Sequence, residues 1–143
     1  MPVAKNDDFH GGSKTFSCHT PARPEQVWAA LTDASRTSTY LYGLAAHSSW
    51  EPDAAIALRY AGSTRLTGRV LCARPGERLS YLLQAEPGDP PVYLTWLIRP
   101  TRAGCTIRLQ IDEIDAADSA EDAEDTWLPI LAALQQQLRE ARR

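Results

Sequence analysis

Histidine and cysteine side chains, which most often bind metal ions or act as bases and nucleophiles, are few in this 143-residue chain. None lies three or four residues from another, the spacing that places two metal ligands on one helix face. A Gly-x-Ser-x-Gly nucleophile motif is also missing. We therefore predict no catalytic residue, no metal site and no cofactor, with the histidines on the surface and the cysteines buried as small hydrophobes. These residues are His10, His19, His47, Cys18, Cys72 and Cys105.

Aromatic residues are better suited to a functional site, because tryptophan and tyrosine combine a large apolar surface with one polar tip. Such side chains fit a pocket that orients one ligand. The alternative interpretation, that each is an ordinary core residue, stays open. The aromatic residues considered are Tyr40, Tyr42, Trp50, Tyr60, Tyr81, Trp96 and Trp127.

Strand periodicity selects the residues that could line such a pocket, since side chains two apart on a strand share a face. Inward-phase leucine and isoleucine residues would form apolar walls, and two tyrosines would present hydroxyl groups. Gly68 would leave space where a larger residue would fill the interior. The candidate ligand-binding residues are Ile56, Leu58, Tyr60, Gly68, Tyr81, Leu83, Leu94, Trp96, Trp127 and Leu131.

Alternating apolar and polar residues predict one strand before two short helices and about six strands after them. Glycine and proline separate the later strands into an antiparallel meander. The longest predicted loop covers residues 86–91, where three prolines exclude a central strand. The apolar phases of the strands are Ile56, Leu58, Tyr60; Leu66, Gly68, Val70, Cys72; Leu79, Tyr81, Leu83; Val92, Leu94, Trp96, Ile98; and Cys105, Ile107, Leu109, Ile111.

Three helices are predicted, and the last is the longest. Pro24 in the first turn opens a helix over Pro24–Thr32, and Asp33 is a capping residue for a second short helix near residues 36–40. The third helix is expected over residues 118–142 with Asp118 as N-cap and a kink or restart at Pro129. Its apolar stripe is Trp127, Ile130, Leu131, Leu134 and Leu138. A sheet with one apolar face would pack against this stripe, so that each buries the apolar surface of the other.

Composition limits the class of protein. With 43% hydrophobic and 23% charged residues, the chain is ordinary for one globular domain. A net charge of −3 argues against a nucleic-acid module. We interpret residues 1–14 as a flexible tail and 15–143 as the domain, and the acidic run 112–125 as solvated surface. Without an apolar run of membrane-spanning length or a signal-peptide core, we expect no membrane insertion and a cytoplasmic protein.

Several stretches together resemble one known family. They are residues 20–33, with the order Thr-Pro-Ala-Arg-Pro-Glu-Gln-Val-Trp, and the shorter stretches 49–52, 68–70, 75–79 and 127–134. The chain from residue 15 to residue 140 is similar to the heat-shock-protein-90 ATPase activator homologue-like family of the START-like superfamily. The resemblance implies an α+β helix-grip fold, in which a curved antiparallel sheet of about seven strands surrounds the long C-terminal helix.

The same resemblance implies a cavity between sheet and helix that receives hydrophobic compounds. The first functional hypothesis is therefore non-enzymatic binding of a hydrophobic small molecule. A second is an interaction module that contacts a chaperone or a second copy of the chain as a homodimer. A third is an enzyme of the polyketide cyclase or aromatase type, which would need a buried acid or base that the sequence does not reveal.

Overall fold

The computed structural model describes residues 4–5, 13–112 and 120–141, with the side chains of residues 13–112 and 124–140. The described strands are β1 (Ala4–Lys5), β2 (Lys14–Thr20), β3 (Ala45–His47), β4 (Ala55–Tyr60), β5 (Ser63–Arg74), β6 (Arg78–Gln84), β7 (Val92–Thr101) and β8 (Gly104–Asp112). The helices are α1 (Pro24–Thr32), α2 (Ala34–Thr37) and α3 (Ala120–Ala141). The predicted α+β helix-grip class is confirmed.

All strands pair antiparallel in one sheet, in the order β1-β2-β8-β7-β6-β5-β4-β3. The seven strands β2 to β8 match the predicted number. The sequence did not predict β1, a two-residue strand that pairs Ala4 with Ser17 and Lys5 with Phe16. The sheet is therefore a meander from β3 to β8, and β2 joins its β8 side.

Local hydrogen bonds explain where the two short helices begin. The side chain of Gln26 accepts a 2.9 Å hydrogen bond from the Arg23 N–H, just before α1. The carboxylate of Asp33 accepts bonds of 3.0 Å from the Ser35 N–H and 2.7 Å from its hydroxyl, which confirms Asp33 as the cap of α2. These hydrogen bonds lower the pKa of Asp33. Together the two caps hold the helices that separate β2 from the meander.

The long helix α3 carries the predicted stripe into the core. Leu131, Leu134 and Leu138 are fully buried, and Trp127 is half-buried. The helix continues through Pro129 as one element, so it does not restart there, and a kink at Pro129 stays a prediction. The predicted cap at Asp118 and much of the acidic run 112–125 lie outside the described residues. The buried stripe therefore packs α3 against the sheet.

The strand phases agree with the sequence at most positions. On β8, Cys105, Ile107, Leu109 and Ile111 are all buried, as the alternation predicts. None of the described helices is long and apolar enough to cross a membrane. Within the same described residues, no group of three His, Cys, Asp or Glu side chains could hold a metal ion.

A candidate ligand cavity between sheet and helix

A cavity of about 350 Å³ lies between the sheet and α3. This volume is near the lower end of the range for small-molecule sites. Strands β4 to β7, the α2–β3 connection, the β6–β7 loop and α3 all contribute to its walls. The lining residues are Leu41, Tyr42, Leu44, Leu58, Leu66, Tyr81, Leu83, Gln84, Ala85, Asp89, Pro90, Val92, Leu94, Thr126, Trp127 and Ile130.

Cross-strand pairs build the sheet side of the cavity. Leu58 on β4 lies opposite Leu66 on β5, and Tyr81 on β6 lies opposite Leu94 on β7. Side chains that face each other in an antiparallel pair point to the same side of the sheet. The alternating pattern therefore collects apolar side chains from four strands into one wall, and Ile130 of α3 adds a buried apolar residue from the helix side.

Tyr81 brings one polar group to this apolar wall. Its hydroxyl accepts a 3.0 Å hydrogen bond from the Trp96 indole N–H, and its ring lies 6.1 Å from that of Trp50 at a tilt of 59°. Tyr81 is only 7% exposed, and burial raises its pKa to about 12. The group is thus a neutral phenol at physiological pH. Among the described residues, its own O–H hydrogen has no acceptor.

Five of the lining residues are exposed and form the opening of the cavity, which we call the mouth: Tyr42, Ala85, Asp89, Pro90 and Thr126. The Tyr42 hydroxyl donates a 2.7 Å hydrogen bond to the Thr126 carbonyl, so the α2–β3 connection is tied to α3 here. Tyr42 has a φ of 54°, in the left-handed region that non-glycine residues seldom adopt. The backbone is therefore held in an uncommon conformation at the mouth.

The β6–β7 loop forms the opposite side of the mouth and is held by side-chain hydrogen bonds. The Gln84 amide donates to the carbonyls of Glu86 and Asp89, at 3.3 Å and 3.1 Å. The Asp89 carboxylate accepts a 3.1 Å bond from the Glu86 N–H. Gln84 also lines the cavity, so one residue connects the cavity wall to the loop that borders its opening.

The structure places five of the ten predicted ligand-binding residues in the cavity wall: Leu58, Tyr81, Leu83, Leu94 and Trp127. Trp96 is 1% exposed and lies behind the wall as the donor to Tyr81. Ile56 and Leu131 are buried in the core outside the cavity lining. Their side chains face the interior, as those of the wall residues do. Sequence periodicity therefore does not distinguish a core position from a cavity position.

Tyr60 lies outside the cavity, in contrast to the prediction, and is 49% exposed. The pairing of β4 with β5 shifts register between Leu58 and Arg59, and such irregularities bend and twist a strand. Tyr60 is also the last residue of β4. There its ring is covered by the guanidinium of Arg65, 5.8 Å from the ring centre. The strand end therefore carries this hydroxyl out of the interior.

Gly68 also has a different role from the one predicted. A Cβ atom at this position would lie 1.9 Å from the Leu82 carbonyl oxygen and 2.9 Å from the Leu83 side chain. Glycine here permits the close approach of β5 to β6, the neighbouring strand. It does not leave free cavity space, and it is absent from the cavity lining.

None of the five mouth residues is among the ten ligand-binding residues predicted from the sequence. Leu66 and Val92 share the phases of predicted wall residues, so periodicity could have selected them. Tyr42 and Asp89 lie in connections without periodicity, and only the fold brings them to the same opening. The lining residues outside the ten predicted ligand-binding residues are Leu41, Tyr42, Leu44, Leu66, Gln84, Ala85, Asp89, Pro90, Val92, Thr126 and Ile130. Of these, Tyr42 is among the aromatic residues that the sequence suggested for a pocket.

The histidines and cysteines that the structure describes lie outside the cavity lining. Cys18 and Cys105 are buried, and burial raises the pKa of both thiols, that of Cys18 to about 12. Such thiols are protonated and poorly reactive at neutral pH. His19 and His47 are exposed, as predicted, and the Nδ1 atom of His19 lies 2.9 Å from the Cys105 carbonyl oxygen.

The fold and the cavity together define a helix-grip protein with an apolar pocket between its sheet and its long helix. A family model described as Activator of Hsp90 ATPase homolog 1-like protein matches residues 21–139. The chain belongs to this family, and the resemblance noted in the sequence is confirmed. A search of curated protein sequences found no match.

Solved structures share the same fold. Protein MLL2253 from Mesorhizobium loti is similar with a TM-score of 0.76 and 19% identity, covering 90% of this chain and 97% of that one. CalU16 from Micromonospora echinospora has a TM-score of 0.76 and 18% identity, and the match covers 97% of this chain and 85% of CalU16. PFC0360w, an HSP90 activator from Plasmodium falciparum, has a TM-score of 0.72 and 15% identity, covering 90% and 96%. At these identities, the similarities establish the fold alone.

Proposed function

We propose that this protein binds a hydrophobic small molecule in the cavity and catalyses no reaction on it. The observation that carries the proposal is the Tyr81 hydroxyl, a buried donor for which the described residues supply no acceptor, in a wall that is otherwise mostly apolar. A buried polar group without its hydrogen bond costs free energy, so a ligand that supplies an acceptor would gain from it. The ligand class is an apolar molecule with a carbonyl or ether oxygen.

Binding without catalysis is supported by the chemistry of the lining residues. The described lining contains no histidine, cysteine or lysine, and Tyr81 remains protonated at neutral pH. Asp89 is the one lining carboxylate in the described residues, and it is exposed and accepts the Glu86 N–H. A general acid or base needs a pKa near the working pH and a place beside the reacting atoms. Cyclase or aromatase activity is therefore the weaker alternative.

Occupancy of the cavity is testable with N-phenyl-1-naphthylamine, a neutral dye that fluoresces in apolar surroundings. The native protein should bind the dye, and Leu83→Trp, which fills the cavity, should weaken binding at least tenfold. Leu71→Trp is the matched control, because Leu71 is exposed on β5 outside the lining. Equal binding by the native protein and both folded variants would refute a site in this cavity.

The role of Tyr81 is testable with two competitors of the same shape. 2-Acetylnaphthalene carries a carbonyl acceptor, whereas 2-isopropenylnaphthalene replaces that oxygen by a CH₂ group. Tyr81→Phe should weaken the ketone about five- to tenfold and leave the hydrocarbon nearly unchanged, because one hydrogen bond contributes about 1 kcal/mol. The same loss for both competitors would show that Tyr81 acts through packing alone.

Contact with a chaperone is a second candidate function, favoured by the family to which the chain belongs. The structural similarity to PFC0360w, an HSP90 activator, points in the same direction. Purified protein should then raise the ATPase rate of an Hsp90 from the same cells. Size-exclusion chromatography with light scattering would test the remaining alternative, a homodimer.

A further inference from the structure

The charges around the cavity are unbalanced. None of the described lining residues is lysine, arginine or histidine, whereas Asp89 brings a carboxylate to the mouth. Asp125, directly before the lining residue Thr126, is also exposed. A bound anion would therefore meet no cation of the wall and would pass an acidic residue as it entered.

Three arginines that lie close to lining residues in the sequence are themselves outside the cavity lining. Arg59, adjacent to the lining residue Leu58, donates a 2.7 Å hydrogen bond to the Gly62 carbonyl. Arg65, adjacent to Leu66, lies over the ring of Tyr60. Arg36 acts electrostatically on Tyr40 but is outside the lining; its Nε atom donates to the Gln137 side chain at 2.9 Å, and its Nη2 atom is buried without a hydrogen-bond partner. None of these three guanidinium groups belongs to a residue of the cavity lining.

Tyr81 can hydrogen-bond to a ligand, but it cannot neutralise one. A phenol donates one hydrogen bond, and in this position it carries no charge at physiological pH. Moving a carboxylate or sulfonate out of water without an opposite charge is far more costly than moving a neutral oxygen. The same wall therefore accepts a ketone, ester or alcohol and penalises the corresponding acid.

We infer that the cavity is selective for uncharged ligands and discriminates against carboxylates and other organic anions, including free fatty acids. This inference rests on the proposed binding function and narrows its ligand class. Selection arises from the absence of a cation among the described lining residues together with the acidic mouth, so it does not depend on the shape of any one ligand.

Two matched pairs of probes test this selectivity on the native protein at pH 8. 8-Anilino-1-naphthalenesulfonate is the sulfonated form of N-phenyl-1-naphthylamine, and decanoate is the ionised acid that corresponds to 1-decanol. The neutral member of each pair should bind at least tenfold more tightly, measured directly for the dyes and by dye displacement for the aliphatic pair. Equal or tighter binding of the anions would overturn the inference.

A variant with a new cation tests the physical cause. Val92 lines the cavity and is half-buried, so Val92→Lys should bring an ammonium group to the wall. Decanoate should then bind to the variant at least fivefold more tightly than to the native protein, whereas the affinity for 1-decanol should not increase. Val92→Met is the control for size. No gain for decanoate in a folded Val92→Lys protein that still binds 1-decanol would refute the charge argument.

The outcomes separate the inference from the function on which it rests. If neither member of either pair binds the native protein, the proposed function fails. If both members bind and the anions are preferred, the ligand-binding function stands and only the selectivity is wrong.

Discussion

The Tyr42 hydroxyl and the Thr126 carbonyl form a 2.7 Å hydrogen bond at the mouth of the cavity. Tyr42 belongs to the α2–β3 connection and Thr126 to α3, so the bond joins two elements that are 84 residues apart in the chain. The opening of the cavity is thus bordered by a side-chain to main-chain hydrogen bond between two exposed residues.

Removing this bond should speed ligand exchange. In Tyr42→Phe, we expect the dissociation rate of N-phenyl-1-naphthylamine to rise about three- to tenfold, since a net hydrogen bond contributes about 0.5–1.5 kcal/mol. Stopped-flow fluorescence measures the rate. Tyr60→Phe is the control, because Tyr60 is another exposed tyrosine that lies outside the cavity lining. An unchanged rate in Tyr42→Phe would show that the bond does not restrict the mouth.

The apolar stripe of α3 should dominate the stability of the fold. Leu134 is fully buried, and Leu134→Ala should lower the free energy of unfolding by about 2–5 kcal/mol, as other large-to-small core substitutions do. Urea denaturation followed by circular dichroism gives this value. Gln136→Ala, on the exposed side of the helix, should change it by less than about 0.5 kcal/mol. Similar losses for both variants would contradict the buried position of the stripe.

Gly68 should be required for folding more than for ligand binding. In Gly68→Ala, the added methyl group would collide with the Leu82 carbonyl, and the strain should cost about 1–3 kcal/mol. Thr67→Ala, at the adjacent exposed position of β5, is the control. Thermal or urea unfolding measures the difference. A native-like stability for Gly68→Ala would mean that β5 and β6 can move apart without lowering the stability of the fold.

Alkaline pH should unfold the protein through buried phenol and thiol groups. Burial raises the pKa of Tyr81 and of Cys18 to about 12, above their ordinary values of 10.0 and 9.0. A raised pKa in the folded state favours the protonated form, so this stabilisation is complete below the ordinary pKa values. It declines from about pH 9 for Cys18 and pH 10 for Tyr81, by up to about 1.4 kcal/mol per pH unit for each group.

Urea unfolding between pH 8 and pH 11 measures this decline. In Tyr81→Phe, the free energy of unfolding should fall less steeply with pH above pH 10. In Cys18→Ala, it should fall less steeply from about pH 9. Each variant also has a lower stability at pH 8, so the slopes are compared and the absolute values are not. Slopes identical to that of the native protein would show that neither group controls alkaline unfolding.

The sequence predicted the architecture well because the strands follow a strict alternation. Ile107, Leu109 and Ile111 are buried on β8, and α1 has the predicted bounds. Tyr60 shows the limit of this reasoning, because periodicity assumes a regular ladder and the register shift after Leu58 interrupts it. A register shift is a property of two paired strands, so the sequence of one strand does not reveal it.

The cavity was predictable in part for the same reason. Periodicity identified wall residues such as Leu58, Tyr81 and Leu94, since each belongs to a regular strand. It did not distinguish a wall residue from a core residue such as Ile56, because both face inward. The mouth is formed by connections between strands and helices, which only the folded chain brings together. Tyr42 and Asp89 are examples, because they belong to different connections.

Pro129 lies inside the helix that forms one wall of the cavity. Because proline has no N–H, it makes no helical hydrogen bond to the Asp125 carbonyl one turn earlier. Thr126 and Trp127 lie on the N-terminal side of this missing bond, and the buried Leu131 and Leu134 lie on the other. Amide hydrogens before Pro129 should therefore exchange with solvent sooner than those after it. Local opening of this first part of α3 would give a ligand access while the second part keeps the core closed.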